Sequence, residues 1–145
     1  MQKKIGFIFL ALILCLTLGV PAWAGESITP GDKYQNITPY YQYIASIGAD
    51  FGIENNGYTI STGNLTYFQN YDSVIKLTLQ RSTNGSSWSN VKTWSKSFSG
   101  SGYHSLEEGW YVAKGYYYRV VNTSEIKNGN TVLETASYTT SATYY

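Results

Sequence analysis

Three Asn-Gly dipeptides, Asn56-Gly57, Asn84-Gly85 and Asn128-Gly129, each sit between strand-like segments. Both residues tolerate the positive φ that a tight antiparallel turn demands. Asn-Gly between alternating runs is therefore the strongest short-range hairpin signal. The first hairpin joins roughly Ile44–Glu54 to Tyr58–Phe68. There Ala45, Ile47, Ala49, Phe51 and Ile53 recur with the period of two that marks a half-buried strand. The second spans Ser73–Phe98, and the third joins roughly Tyr116–Thr123 to Thr131–Ser141. One more strand, about Tyr103–Val112, lies between the second and third. The expected fold is all-β: seven strands in an antiparallel β-sandwich.

The N-terminus reads as a targeting segment. Lys3 and Lys4 precede an uncharged apolar run, Ile5–Val20, of 16 residues. Ala22-Trp23-Ala24 then offers small side chains where a signal peptidase reads them, so cleavage is expected after Ala24. The run is shorter than the roughly 20 residues of a spanning helix. Cys15 lies inside it and follows Leu14, which does not suit lipoprotein processing. The expected organisation is a signal peptide at 1–24, an N-terminal lead-in at 25–43 that joins the sheet near its end, and a sandwich at 44–145.

Removing 24 of 145 residues leaves 121, enough for one domain. It also removes the single cysteine, so the mature chain has neither disulfide nor thiol chemistry. Losing Lys3 and Lys4 from ten basic residues leaves eight against nine acidic ones, formally −1. That balance argues against nucleic acid or an anionic membrane as a charge-driven partner. The abundance of Tyr, Ser, Thr, Asn and Gly suits a β-rich extracellular module.

The second hairpin carries the functional expectation. Ile75, Leu77 and Leu79 alternate with Lys76, Thr78 and Gln80, so the odd positions face the core. A two-residue turn would set Leu77 against Lys92 and bury a charge. A three-residue loop, Thr83-Asn84-Gly85, pairs Leu77 with Val91 and Ile75 with Thr93. The same register sends Trp88 and Trp94 outward, beside Gln80 and Val74, and sets Lys76 opposite Lys92. With the second and last hairpins in one sheet, the outward face gathers Lys76, Thr78, Trp88, Trp94, Tyr117 and Arg119. Exposed aromatics on a sheet can stack on sugar rings or anchor a protein partner. They can also pack on one another or on lysine stems.

The segment Val112-Ala113-Lys114-Gly115-Tyr116-Tyr117-Tyr118-Arg119-Val120 resembles the corner entering the sixth strand of a fibronectin type III domain. The resemblance implies a fibronectin type III-like or immunoglobulin-like sandwich. Tyr118 would be the corner tyrosine, its hydroxyl bonded back to the turn backbone. Tyr58–Phe68 lacks that family's usual core tryptophan, and the Cys…Trp…Cys pattern of antibody domains is absent. The layout as a whole is similar to a family of small secreted proteins of unknown function from Gram-positive bacteria. The resembling parts are the leader, Leu79-Gln80-Arg81 before Asn-Gly and Trp88, Val91-Lys92-Thr93-Trp94, and Gly115–Arg119. It implies secretion and a sandwich, and no activity.

Catalytic chemistry has little to stand on. His104, the chain's one histidine, lies beside Ser105, but no nucleophile-elbow motif accompanies it. Glu107 and Glu108 point to opposite faces if they lie on a strand, so they cannot flank one glycosidic bond. Asp50, Glu54 and Asp72 lack the acidic loop pattern of a dedicated calcium site. No metal-ligand spacing or phosphate loop occurs, and no cofactor is expected. Asn36, Asn64, Asn84 and Asn122 each begin an Asn-x-Ser/Thr triplet. The expected function is a secreted, non-enzymatic protein that binds a cell-surface glycan or an envelope protein through the aromatic face. The alternative is a structural protein that assembles by strand-edge pairing.

Overall fold

Apolar and polar side chains alternate along each long segment, which favours extended strands with one face to a core. The computed structural model describes residues 41–145 and the backbone of a short strand at 34–36. The leader at 1–24 lies outside the described residues. The strands are β1 (Tyr34–Asn36), β2 (Ile44–Ile53), β3 (Tyr58–Tyr67), β4 (Asp72–Ser82), β5 (Ser89–Ser99), β6 (Gly102–Tyr111), β7 (Tyr117–Asn128), β8 (Thr131–Thr139) and β9 (Thr143–Tyr144). The seven long strands, β2 to β8, form the expected antiparallel sandwich. Sheet A has the order β1-β2-β3-β6 and sheet B the order β5-β4-β7-β8, with β9 also on β7. The lead-in thus joins sheet A through β1, whose Gln35 pairs with Ile47.

The core fills the space between the sheets. Ile47, Leu65 and Tyr67 enter from sheet A, and Ile75, Leu77, Leu79, Tyr118, Val120 and Ile126 from sheet B. In β2 the register shifts between Ile44 and Ser46, so Ile44 faces the core where the simple alternation put Ala45. Burying a residue such as Leu77 contributes about 1.5–3 kcal/mol.

Two polar devices cross between the sheets. Asn122 of β7 is fully buried, and its Nδ2 donates to the carbonyls of Gly48 (2.7 Å) and Asn64 (3.1 Å) in sheet A. Its Oδ1 accepts from Ser124 Oγ at 2.9 Å. Gly63 makes room for this amide: a Cβ there would press on Leu77 and Asn122. At the β2–β8 edge the Glu134 carboxylate accepts the backbone N–H groups of Gln42, Tyr43 and Ile44, at 2.7, 2.9 and 2.8 Å. Hydrogen bonds to an ionised acceptor are the stronger kind.

The second hairpin departs from the expected register. Its connection is not three residues but Thr83–Trp88, closed by side chains. Ser82 Oγ accepts from the N–H groups of Asn84 and Gly85, and Asn84 Oδ1 accepts from those of Ser86 and Ser87. Gly85 takes the left-handed conformation, φ 73°. Leu77 pairs with Trp94, Leu79 with Lys92 and Gln80 with Asn90, so Val91 is the extra residue of a bulge. Val91 is not opposite Leu77, and Lys76 faces Ser95 rather than Lys92.

Candidate functional site

The outer face of sheet B assembles most of the expected binding residues. Lys76, Thr78 and Gln80 alternate outward along β4, while β7 sets Arg119 opposite Gln80 and Tyr117 opposite Ser82. Arg119 Nε donates to Gln80 Oε1 at 2.9 Å, and Gln80 Nε2 donates to Asn90 Oδ1 at 2.9 Å. The Arg119 guanidinium carbon lies 4.1 Å from the centre of the Trp88 ring. A line of contacts thus runs from Asn90 on β5 through Gln80 and Arg119 to Trp88. A guanidinium held flat on an indole is oriented by cation–π attraction and stacking. Trp88 reaches Arg119 because the side-chain-bonded loop delivers it there; it belongs to no strand.

Around this line, Thr93 and Thr78 join their hydroxyls at 3.3 Å, and Lys76 is exposed. Tyr117 is 36% exposed and meets Tyr144 edge-on, with ring centres 4.9 Å apart.

Trp94 is the correction. Paired with the fully buried Leu77, it faces the core side of β5 and is half-buried there. Antiparallel partners share a face. A register longer by three positions than expected therefore moves Trp94 from the outside to the inside. Lys92 moves with it, and its ammonium lies 4.6 Å from the ring centre of Trp110 at the β5–β6 edge.

The remaining candidates separate. His104 stacks between Tyr67 (5.4 Å) and Phe98 (4.8 Å), with Nε2 2.9 Å from the Gly100 carbonyl. Glu107 and Glu108 are neighbours on β6, so they point to opposite faces. Asp50 is in sheet A, Asp72 in sheet B and Glu54 in the first turn. Among the described residues no three His, Cys, Asp or Glu side chains gather to hold a metal ion. Of the Asn-x-Ser/Thr triplets, Asn122 is buried and hydrogen-bonded, Asn64 is 8% exposed, and Asn84 is exposed in its loop. The side chain of Asn36 lies outside the described residues.

Charge is divided between the sheets in a way the total conceals. The strands of sheet A carry Asp50, Glu107 and Glu108 and no lysine or arginine. Those of sheet B carry Lys76, Arg81, Lys92, Lys96, Arg119 and Lys127 against Asp72, Glu125 and Glu134. Sheet A also presents the half-buried Tyr58 and the exposed Ile60 and Tyr111 on its outer face. Reading the even positions of Tyr58–Tyr67 as outward finds the first two.

No family model and no curated protein match the chain. Among solved structures it is similar to a protein from Archaeoglobus fulgidus, at 13% identity, covering 70% of this chain and 97% of that one, with a TM-score of 0.39.

Proposed function

We propose that this is a secreted, non-enzymatic β-sandwich module that binds a cell-surface glycan or an envelope protein through the outer face of sheet B. The observation that carries the reading is the Asn90–Gln80–Arg119–Trp88 line. It fixes an arginine and an aromatic ring on an open sheet before any partner arrives, and preorganisation lowers the ordering cost of binding. Secretion rests on the leader pattern. The strand order and the Tyr118 bond to the Ala113 carbonyl, 2.8 Å, favour the fibronectin type III-like form of the sandwich.

The test is titration of the mature protein with cell-wall polysaccharide and with purified envelope, followed by tryptophan fluorescence. Arg119→Ala and Trp88→Ala are each expected to weaken binding roughly tenfold or more, as truncating a central anchor does. Unchanged affinity in both variants, or no fluorescence response to either material, removes the proposal.

One observation favours the second reading, assembly by strand addition. Strands β5 and β8 are interrupted by register shifts, whereas β6 pairs with β3 over ten residues without one. Among the described residues its other side is an unpaired sheet edge, the template that strand addition uses. Sedimentation that shows a monomer at all concentrations would count against it.

A further inference from the structure

We infer that the outer face of sheet A is a second binding site, for a saccharide chain that carries free amino groups. The inference rests on the reading of this protein as a binding module, but it uses other residues on the opposite face.

The register builds the site row by row. Ile60 of β3 lies between Gly52 of β2 and Gly109 of β6. With no side chain on either flank, Ile60 is 41% exposed in the middle of a sheet. The next row is Asp50, Thr62 and Glu107, with Thr62 Oγ1 donating to Glu107 Oε2 at 3.4 Å. In the row on the other side, Tyr58 and Tyr111 stand together with ring centres 5.1 Å apart. Tyr58 lies down over Gly109, since a Cβ there would collide with its hydroxyl. Two adjoining depressions result, of about 330 and 290 Å³, which share Ile60 and Glu107.

The occupant follows from this chemistry. The depressions are shallow and cross the sheet, with the Tyr58 ring, backed by Tyr111, at one side and carboxylates along the other. A pyranose ring offers an apolar C–H face to stack and an equatorial rim of hydrogen-bonding groups. Tyrosine supplies a flat apolar surface with a polar tip, and its π-face also attracts a cation. The sheet strands supply only negative charge, so a protonated amine complements them where an anionic sugar does not. A lysine-rich peptide would satisfy the charge but has no flat apolar face for the rings.

The test is calorimetric titration of the full mature chain with glucosamine oligomers, N-acetylglucosamine oligomers, cello-oligosaccharides and oligolysine. Glucosamine oligomers are expected to bind about fivefold more tightly than either other saccharide, the upper end of what one exposed ion pair supplies. Glu107→Gln is expected to erase that difference, and Tyr111→Ala to weaken binding of glucosamine oligomers. Both side chains are exposed, so the fold should tolerate their replacement; unchanged near-UV circular dichroism checks this. Gly109→Ala, which displaces Tyr58, provides an independent variant with the same expected loss. Equal binding of all three saccharides, or no saturable binding of glucosamine oligomers, overturns the inference. So does oligolysine binding as tightly with Tyr111→Ala without effect. Trp88→Ala and Arg119→Ala should leave this binding intact, so failure of the sheet B reading and failure of this one are separable.

Discussion

Tyr118 shows how one side chain can fix the entry to a strand. Its ring is buried in the core, and its hydroxyl reaches back five residues to the Ala113 carbonyl. Burial pushes the phenol above its ordinary 10.0, while the Arg81 charge pulls it partly back. A raised pKa means the folded protein holds this proton more tightly than the unfolded chain does. The resulting stability is fully present below the unfolded value and is lost as pH rises through the folded one. Tyr118→Phe is expected to cost about 1–2 kcal/mol near neutral pH through the lost hydrogen bond. It should also flatten the fall in stability above pH 10, measured by urea unfolding at a series of pH values. Parallel curves for the two proteins would show that Tyr118 is not the group responsible. This residue was legible from sequence because the corner motif is local. Asn122 was not, because its partners Gly48 and Asn64 come from the other sheet and no short-range pattern couples them.

At the scale of elements, the hairpins differ in how far their turns specify them. The Asn56-Gly57 and Asn128-Gly129 turns are tight: Ile53 pairs with Thr59 and Asn128 with Thr131, and both glycines have positive φ. The Asn84-Gly85 connection is organised instead by the side chains of Ser82 and Asn84, which accept backbone N–H groups and lengthen the loop to Trp88. The cost of burying a charge disfavours, from sequence alone, any register that turns a lysine inward. The structure turns two inward, Lys92 and Lys96, because β5 is an edge strand and a long side chain there can carry its ammonium out past the rim. Lys92 finishes over Trp110, and Lys96 lies 5.2 Å from the ring centre of Phe98. Inward lysines and a bulge also discourage pairing with another chain. The alternation of Lys76, Thr78, Tyr117 and Arg119 survives any register of β5, since β4 and β7 set it; the place of Trp94 does not. The opposite edge has its own fastening in Glu134. Glu134→Gln keeps the shape but removes the charge from three hydrogen bonds, so a loss of about 1–2 kcal/mol is expected. Amide exchange at Tyr43 and Ile44 should accelerate selectively. Unchanged exchange there would mean that β2 is held by its ladder alone.

For the whole molecule, a formal charge of only +1 is a poor guide to what a partner meets. All the basic residues of the strands lie in sheet B, and sheet A has acidic ones only. Packed sheets are separated by ~10 Å, and at 0.1 M salt the screening length is also ~10 Å. An approaching polymer therefore responds to the face in front of it rather than to the sum. Composition excludes charge-driven partners only where charges are evenly mixed; here the strands of sheet A carry acidic side chains alone, and those of sheet B six basic against three acidic. A nearly neutral chain with mixed charges should pass both kinds of ion exchanger nearly unretarded. This one is expected to be retarded on both at an ionic strength of about 0.1 M or below. The faces can be assigned by substitution. Lys76→Gln with Arg119→Gln should reduce retention on the sulfonate matrix and leave the quaternary-amine matrix little changed, because that contact uses sheet A. Asp50→Asn with Glu107→Gln should do the reverse. If each pair shifts both columns together, net charge governs the surface, and neither face acts as a separate electrostatic site.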